Sequence, residues 1–264
     1  MITPDSIAPL SARNARSRFP HFIALSLLAA IPARAGFVTW SSPKTITGDS
    51  DISQLGAFVS AYNLGGVGNP AATVNGVTFN PFATNATTNT VGNVTLSSSS
   101  TIFGLNMDFG ETEPPFSTLT PGYQTLLQSG SFTTSSTFPP ATISMTLNGL
   151  TPGADYQFQW WAHESEASSF APAPPLPGTS ATAGNSVTLQ RRGVLPGSLG
   201  QFALGVFTAT SASQVIDFNG TDTKTLLSAF QLRQIAAPVP EPGSALFGFA
   251  MAGVAFRSAS KRRR

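Results

Sequence analysis

Cysteine is absent from the 264 residues, which excludes disulfides, thiolate metal sites and cysteine nucleophiles together. Histidine is almost absent: His21 and His163 are the only two, so a site built from several histidines is excluded as well. Basic residues are scarce in the middle of the chain. Between the first 35 residues and the last eight, five Lys and Arg stand against 11 Asp and Glu, although the whole-chain pI is about 9.3. The acidic middle argues against nucleic acid as a partner.

The basic residues that produce the high pI lie at the two ends of the chain. Near the N-terminus, three arginines precede ten mostly apolar positions, 22–31, and Pro32-Ala33-Arg34-Ala35 follows. A basic, apolar, small-x-small order is typical of a secretory signal peptide. It predicts passage through the export translocon and cleavage by signal peptidase beside Ala33 and Ala35, so that residues 1–35 are removed and Gly36 becomes the first residue. The alternative is a buried N-terminal helix.

The C-terminal segment, 237–264, has the opposite order, with an apolar stretch at 244–256 and basic residues after it. Thirteen helical residues span about 20 Å, short of the roughly 30 Å of a bilayer core. The apolar stretch therefore predicts a short membrane helix suited to transient anchorage. Positive charge stays on the cytoplasmic side, which leaves the body outside. These flanking basic residues are Arg257, Lys261, Arg262, Arg263 and Arg264.

A six-residue motif precedes the apolar stretch and consists of Val239, Pro240, Glu241, Pro242, Gly243 and Ser244. The order of Pro-Glu-Pro, short apolar helix and basic cluster resembles the PEP-CTERM sorting signal of Gram-negative bacteria. This tail family is also catalogued as an ice-binding protein C-terminal domain, a label that does not imply ice binding. The resemblance implies recognition by the membrane transpeptidase exosortase, a transient inner-membrane anchor, and delivery to the cell surface or extracellular matrix.

Alternating apolar residues dominate positions 36–236 and predict one all-β domain. Ile143, Met145 and Leu147 share one strand face, and the next strand places Tyr156, Phe158 and Trp160 on one face. Further strands are expected at 186–191, 201–210, 214–219 and 225–235, a hairpin at 73–79, and a short helical turn at 123–128. Positions 84–101 are expected to form a loop and an outer strand, and 164–185 a long loop. Many short strands favour a β-sandwich of the jelly-roll type.

Several phrases of the body resemble the extracellular β-sandwich domains of PEP-CTERM proteins from verrucomicrobial and planctomycete bacteria. They lie at 48–52, 74–79, 147–153, 201–207 and 227–233. Such domains resemble galactose-binding or carbohydrate-binding sandwiches in architecture. The resemblance implies exopolysaccharide as a candidate partner of the body.

A candidate glycan contact is the second face of the 156–163 strand, which carries Gln157, Gln159, Trp161 and His163. An exposed aromatic ring among amides offers a sugar both an apolar surface and hydrogen bonds. The alternative is that both faces of the sheet are covered and Trp161 packs under the proline-rich 164–185 loop.

Catalytic and metal sites have weaker signals. His163 is the only histidine that could serve a triad in the mature chain, and no G-x-S-x-G elbow accompanies it. Paired carboxylates for glycoside hydrolysis are available on count, but they lie in polar loops: Glu164 with Glu166, or Asp108 with Glu111 and Glu113. The Asp49-Ser-Asp51 spacing is a weak calcium candidate. No cofactor is expected.

We therefore expect a non-enzymatic exported protein of the cell surface or matrix, with a body that is a candidate carbohydrate binder. The alternative is a secreted glycan-active enzyme built on the same sandwich.

Overall fold

Two packed β-sheets and one short helix make up most of the residues that the computed structural model describes: 36–107, 109–110, 112–134, 139–165, 178–193 and 195–235. In chain order the elements are β1 (Thr39–Trp40), β2 (Lys44–Thr45), β3 (Ala57–Gly65), β4 (Ala72–Val74), β5 (Val77–Ala83), β6 (Asn85–Val91), β7 (Val94–Leu105), α1 (Pro121–Leu127), β8 (Gly130–Thr134), β9 (Ile143–Asn148), β10 (Asp155–Ala162), β11 (Gly178–Ala183), β12 (Asn185–Gln190), β13 (Gln201–Thr208), β14 (Ser213–Gly220), β15 (Lys224–Leu227) and β16 (Ala229–Ile235). Single-turn 3-10 helices lie at Asp49–Asp51 and Phe116–Thr118.

The first sheet has the strand order β1-β13-β10-β16-β3-β5-β4, with β2 beside β13. The second sheet has the order β12-β11-β14-β9-β7-β8-β15, with β6 beside β7. Pairings between these strands are antiparallel except for β3 with β5, which run parallel. In the centre of the first sheet, Phe158 lies opposite Gly205 of β13 and Leu232 of β16.

The main apolar core lies between the sheets, against what we call the inner face of the first sheet. Ring contacts hold it together: Trp160 meets Phe218 edge-on at 5.0 Å, and Phe158 stacks on Phe230 at 5.7 Å. The side chains that the sequence predicts inside, on β9 and β10, are all buried: Ile143, Met145, Leu147, Tyr156, Phe158 and Trp160. The all-β, two-sheet expectation and the phase of both strands are therefore confirmed.

A second apolar cluster covers the opposite, outer face of the first sheet. Thr120 caps α1 by accepting a hydrogen bond from the backbone N–H of Tyr123, and Pro121 occupies the first turn, where its missing N–H costs nothing. The helix then places Tyr123, Leu126 and Leu127 in one cluster with Trp161. The centre of the first sheet is consequently buried on both faces.

Local sequence predicts most of the elements and misplaces some. The 73–79 hairpin is confirmed, with positive φ at both Asn75 and Gly76, as a tight hairpin turn requires. The helical turn expected at 123–128 is α1. The segment at 85–105 forms two paired strands rather than a loop and one strand.

Two expectations on strands are wrong. The 225–235 segment is two strands, because the chain passes from the second sheet to the first at Ser228, whose N–H donates to the carbonyl of Trp161 at 3.0 Å. The expected 164–185 loop contains β11, a small-residue strand of Gly, Thr, Ser and Ala that pairs with β12 and β14.

Candidate functional site

The four residues predicted to face a glycan are buried on the outer face of the first sheet. Trp161 is fully inaccessible, and its Nε1 donates to the Tyr123 hydroxyl at 2.9 Å while its ring packs against Phe79 and Phe202. Gln157, Gln159 and His163 are buried as well. The expectation of an exposed aromatic platform is wrong, because α1 and the 46–56 segment cover this face. The alternative, that both faces of the sheet are covered at this strand, is confirmed. Residues 166–177 of the proline-rich segment lie outside the described residues.

The glutamines on this face form a ladder that ties the 46–56 segment to the sheet. Gln159 donates to the carbonyl of Asp51 at 2.7 Å and accepts from the N–H of Ser53 at 3.0 Å. Gln231, its neighbour on β16, donates both to the Gln159 side chain at 2.6 Å and to the carbonyl of Ser53 at 3.1 Å. The Ser53 hydroxyl donates to the side chain of Gln157. These amides therefore have a structural role.

His163 continues the same face and is fully buried. Its Nδ1 accepts a hydrogen bond from the N–H of Gly200 at 3.1 Å, and its ring stacks on Phe116 at 5.2 Å. Burial lowers its pKa to about 3, against a smaller opposing effect of Glu164. A neutral, buried ring without solvent access is poorly placed to exchange protons with a substrate.

Glu164, a predicted member of a carboxylate pair, belongs to a buried ionic network. It contacts Arg191 at 3.2 Å and Lys224 at 2.5 Å, and Arg191 also binds Asp222 at 2.8 Å. Burial alone would raise the pKa of Glu164, but Lys224 and Arg191 outweigh it and hold the pKa below its ordinary value. Such a carboxylate is not suited to be a general acid. Of the other predicted carboxylates, Glu113 is exposed, and Asp108, Glu111 and Glu166 lie outside the described residues.

The weak calcium candidate, Asp49 with Asp51, is a hydrogen-bonded turn. The Asp51 carboxylate accepts from the N–H and hydroxyl of Thr47, both at 2.7 Å, and from the N–H of Gly48. Asp49 accepts from the hydroxyl of Thr120 at 2.6 Å. Donor hydrogens occupy the oxygens that a cation would need, so the arrangement does not fit Ca²⁺. Within the described ranges there is no group of three or more His, Cys, Asp or Glu that could hold a metal.

A groove that no sequence pattern predicts opens at the end of the first sheet. Its volume is about 370 Å³, and its lining residues are Gln54, Phe58, Gly76, Val77, Thr78, Asn80 and Arg233. Phe58 is half exposed, whereas the Arg233 side chain is almost buried. Residues 52–61 fit helix and strand equally in sequence, and Arg233 stands alone at the end of an apolar segment, so no local pattern indicates the groove. We call it the Phe58 groove.

The predicted processing residues lie outside the described residues, so their positions are not part of this geometry. They are Ala33, Ala35, the motif residues 239–244 and the basic residues from Arg257 onward. Gly36, the predicted first residue of the mature chain, is described and buried.

Comparison with protein-family models, with curated proteins and with solved structures gives no match. No helix in the described part of the chain has the length and hydropathy to cross a bilayer. The fold and the site define a two-sheet, all-β protein in which the glutamine ladder and the Glu164 network tie covering segments and strands together.

Proposed function

We propose that the chain is a non-enzymatic exported protein of the cell surface or extracellular matrix, sorted by an exosortase through the motif at 239–244. The observation that carries the proposal is the order of three features: Pro240-Glu241-Pro242, the apolar stretch 244–256 and the basic cluster that follows. Two prolines deny the motif a helical structure and keep it extended, so a membrane enzyme can reach it.

The positions of the processing points relative to the folded body support this proposal. The carbonyl of Gly36 accepts a hydrogen bond from the Gln214 side chain at 3.0 Å, so a chain that begins there keeps this contact. Proteolysis after Ala35 would remove no described strand. At the other end β16 ends at Ile235, five residues before Pro240. Cutting at the motif would likewise leave both sheets complete.

The tail has the physical properties of a temporary anchor. A helix over 244–256 is too short to span a bilayer without local thinning, and Arg257 can reach back toward the interface. Each basic residue near an anionic cytoplasmic leaflet adds about 1 kcal/mol of attraction. The anchor holds the chain long enough for the exosortase to act, and the body then passes to the cell surface.

For the body, we propose a jelly-roll sandwich of the galactose-binding kind. The support is the mostly antiparallel pairing and a strand order in which sequence neighbours are often separated, as in β13-β10-β16-β3. Exopolysaccharide is the partner class that this architecture suggests. The alternative, a glycan-active enzyme, has less support because Glu164 is neutralised by two cations and His163 is buried and neutral.

The sorting proposal predicts that replacing Pro240-Glu241-Pro242 by three alanines leaves an uncut form in the membrane fraction of a host with the matching exosortase. Deleting Arg262, Arg263 and Arg264 should instead weaken retention and release unprocessed precursor. The matched control replaces Pro172-Ala173-Pro174, a second Pro-x-Pro of the same chain, and should be processed like the parent. Fractionation followed by immunoblotting measures all three. Normal release of a trimmed chain from the triple-alanine variant would exclude the motif as the signal.

A further inference from the structure

The Phe58 groove lies where two strands of the first sheet diverge. Strand β3 pairs with β5 only from Tyr62 opposite Asn80 onward, so the first residues of β3 have a strand partner on the β16 side alone. On that side a register shift between Leu232 and Arg233 places Arg233 opposite Phe58. The divergence leaves an open wedge between β3 and the turn at Gly76, with a cation and an aromatic ring on one wall.

Arg233 is held in this wall as a cation that forms no ion pair with any residue in the described part of the chain. Its Nε donates to the carbonyl of Leu55 at 3.0 Å, and its Nη2 donates to the carbonyls of Gln54 and Gly56. Its Nη1 makes no hydrogen bond with a described residue, and none of the seven residues that line the groove is acidic. Three neutral carbonyls fix the guanidinium, and within the described ranges no carboxylate balances its charge. A carboxylate of a ligand would complete it with a charge-assisted hydrogen bond.

The rest of the wall suits a sugar ring. Phe58 is 50 % exposed, and an exposed aromatic face is the surface on which the C–H face of a pyranose packs. Asn80 is exposed and its amide has no hydrogen-bond partner among the described residues, so it is free for a hydroxyl. The volume of about 370 Å³ falls in the lower range of small-ligand sites.

The charge balance distinguishes an acidic sugar from a denser polyanion. One cation serves the groove, while acidic residues outnumber basic ones through the middle of the chain. A nucleic acid needs several phosphate contacts to offset such repulsion. A polysaccharide with one carboxylate per uronic-acid residue needs a single cation at each subsite.

From these observations we propose that the Phe58 groove binds a uronic-acid residue of an acidic polysaccharide. Phe58 stacks on the ring, Nη1 of Arg233 binds the carboxylate, and Asn80 bonds a hydroxyl. This proposal rests on the proposed function, because export is what brings the body into contact with such polymers. It specifies acidic polysaccharide as their chemical class.

The test is titration calorimetry of the purified full chain with defined oligomers of galacturonate, glucuronate and mannuronate. The methyl-esterified oligomers, which keep the ring and lose the charge, are the matched ligand controls. We expect at least one acidic oligomer to bind and its ester to bind about tenfold more weakly or not at all. Failure of all three acidic oligomers to bind, or equal binding of acid and ester, would overturn the proposal.

Variants then assign the binding to the groove. Arg233→Gln and Phe58→Ala should each weaken binding about tenfold, and Asn80→Ala severalfold. Lys44→Gln removes an exposed cation elsewhere in the first sheet, and Phe103→Ala removes an exposed ring on the second sheet; both should bind like the parent. Because Arg233→Gln also removes three internal hydrogen bonds, Phe58→Ala and Asn80→Ala on the surface decide the matter if that variant fails to fold. Parent-like binding by both would place the sugar elsewhere.

A poly-glutamate peptide is the last ligand to be tested, because the start of β3 has no partner on its β5 side and could pair there with an extended peptide. Equal binding of that peptide, insensitive to Phe58→Ala, would show an acidic-peptide site instead. None of these measurements depends on the tail, so loss of glycan binding and loss of sorting are observed separately.

Discussion

The two faces of β10 are both buried, yet different forces hold them. On the inner face, Tyr156, Phe158 and Trp160 pack against aromatic and aliphatic side chains of both sheets. On the outer face, Gln157 and Gln159 form hydrogen bonds with the covering segment, and only Trp161 contributes a large apolar surface. Alternating polarity along a strand therefore does not establish exposure of the polar face. A polar face can be buried when the segment above it supplies partners.

The difference predicts two kinds of sensitivity. The inner face depends on volume, because close-packed rings leave cavities when they are truncated. The outer face depends on partners, because an amide removed from the ladder leaves backbone groups of the 46–56 segment without a hydrogen bond. The two faces can therefore be separated by substitutions on neighbouring residues of one strand.

The largest effect is expected on the inner face. Phe158→Ala should lower the free energy of unfolding by about 3–5 kcal/mol, because the ring is wholly buried against Phe230 and Trp40. Phe103→Ala, at a ring that is 44 % exposed, is the control and should cost about 1 kcal/mol or less. Urea unfolding measures both. Equal costs would mean that the inner face is not the core of the domain.

A smaller effect is expected from the ladder. Gln159→Leu keeps most of the side-chain volume but deprives the N–H of Ser53 and the carbonyl of Asp51 of their partner. We expect a loss of about 1–3 kcal/mol. Gln190→Leu, at an exposed glutamine of β12, should change stability by less than about 0.5 kcal/mol. A Gln159→Leu variant as stable as the parent would show that apolar packing alone holds the 46–56 segment in place.

The smallest effect is a pH dependence of the free energy of unfolding, which comes from the buried His163 on the outer face. The pKa of His163 is about 3 in the folded chain and near 6.5 when unfolded, so the unfolded state binds more protons between these values. The contribution of His163 to the free energy of unfolding is therefore fully present above about pH 6.5. It falls as the pH is lowered, by about 1 kcal/mol between pH 7 and 5.5. Glu164 and Asp222, whose pKa values are lowered, add their loss only at more acidic pH. Chemical unfolding of parent and His163→Asn at both pH values measures the difference. A parent without this dependence would indicate a solvated histidine.

Much of the fold follows from local signals, and the rest depends on contacts distant in sequence. Residues adjacent in sequence predict three features: the phase of β9 and β10, the Asn75-Gly76 turn and the helix at Pro121. The change of sheet at Ser228 is not, since Thr225 to Ile235 reads as one continuous strand. It is set by hydrogen bonds to Trp161 and His163, 65 or more residues away.

The candidate sites divide in the same way. The sorting motif is a linear signal and needs no fold to be found. The burial of Gln159 and Trp161 depends on which segment covers β10. No sequence feature near either residue predicts that segment. Phe58 and Arg233 are 175 positions apart in sequence and lie opposite each other only because β3 pairs with β16. Neither residue carries a signal alone, so only the sheet order reveals the groove.

Export followed by sorting fixes both ends of the released chain, so the decisive measurement is the intact mass of the protein recovered outside cells that contain the matching exosortase. We expect a chain that begins at Gly36 and ends within the 239–243 segment, with the apolar stretch and the basic cluster removed. Extracellular chains that still end in Arg264, or that retain the residues before Gly36, would contradict it.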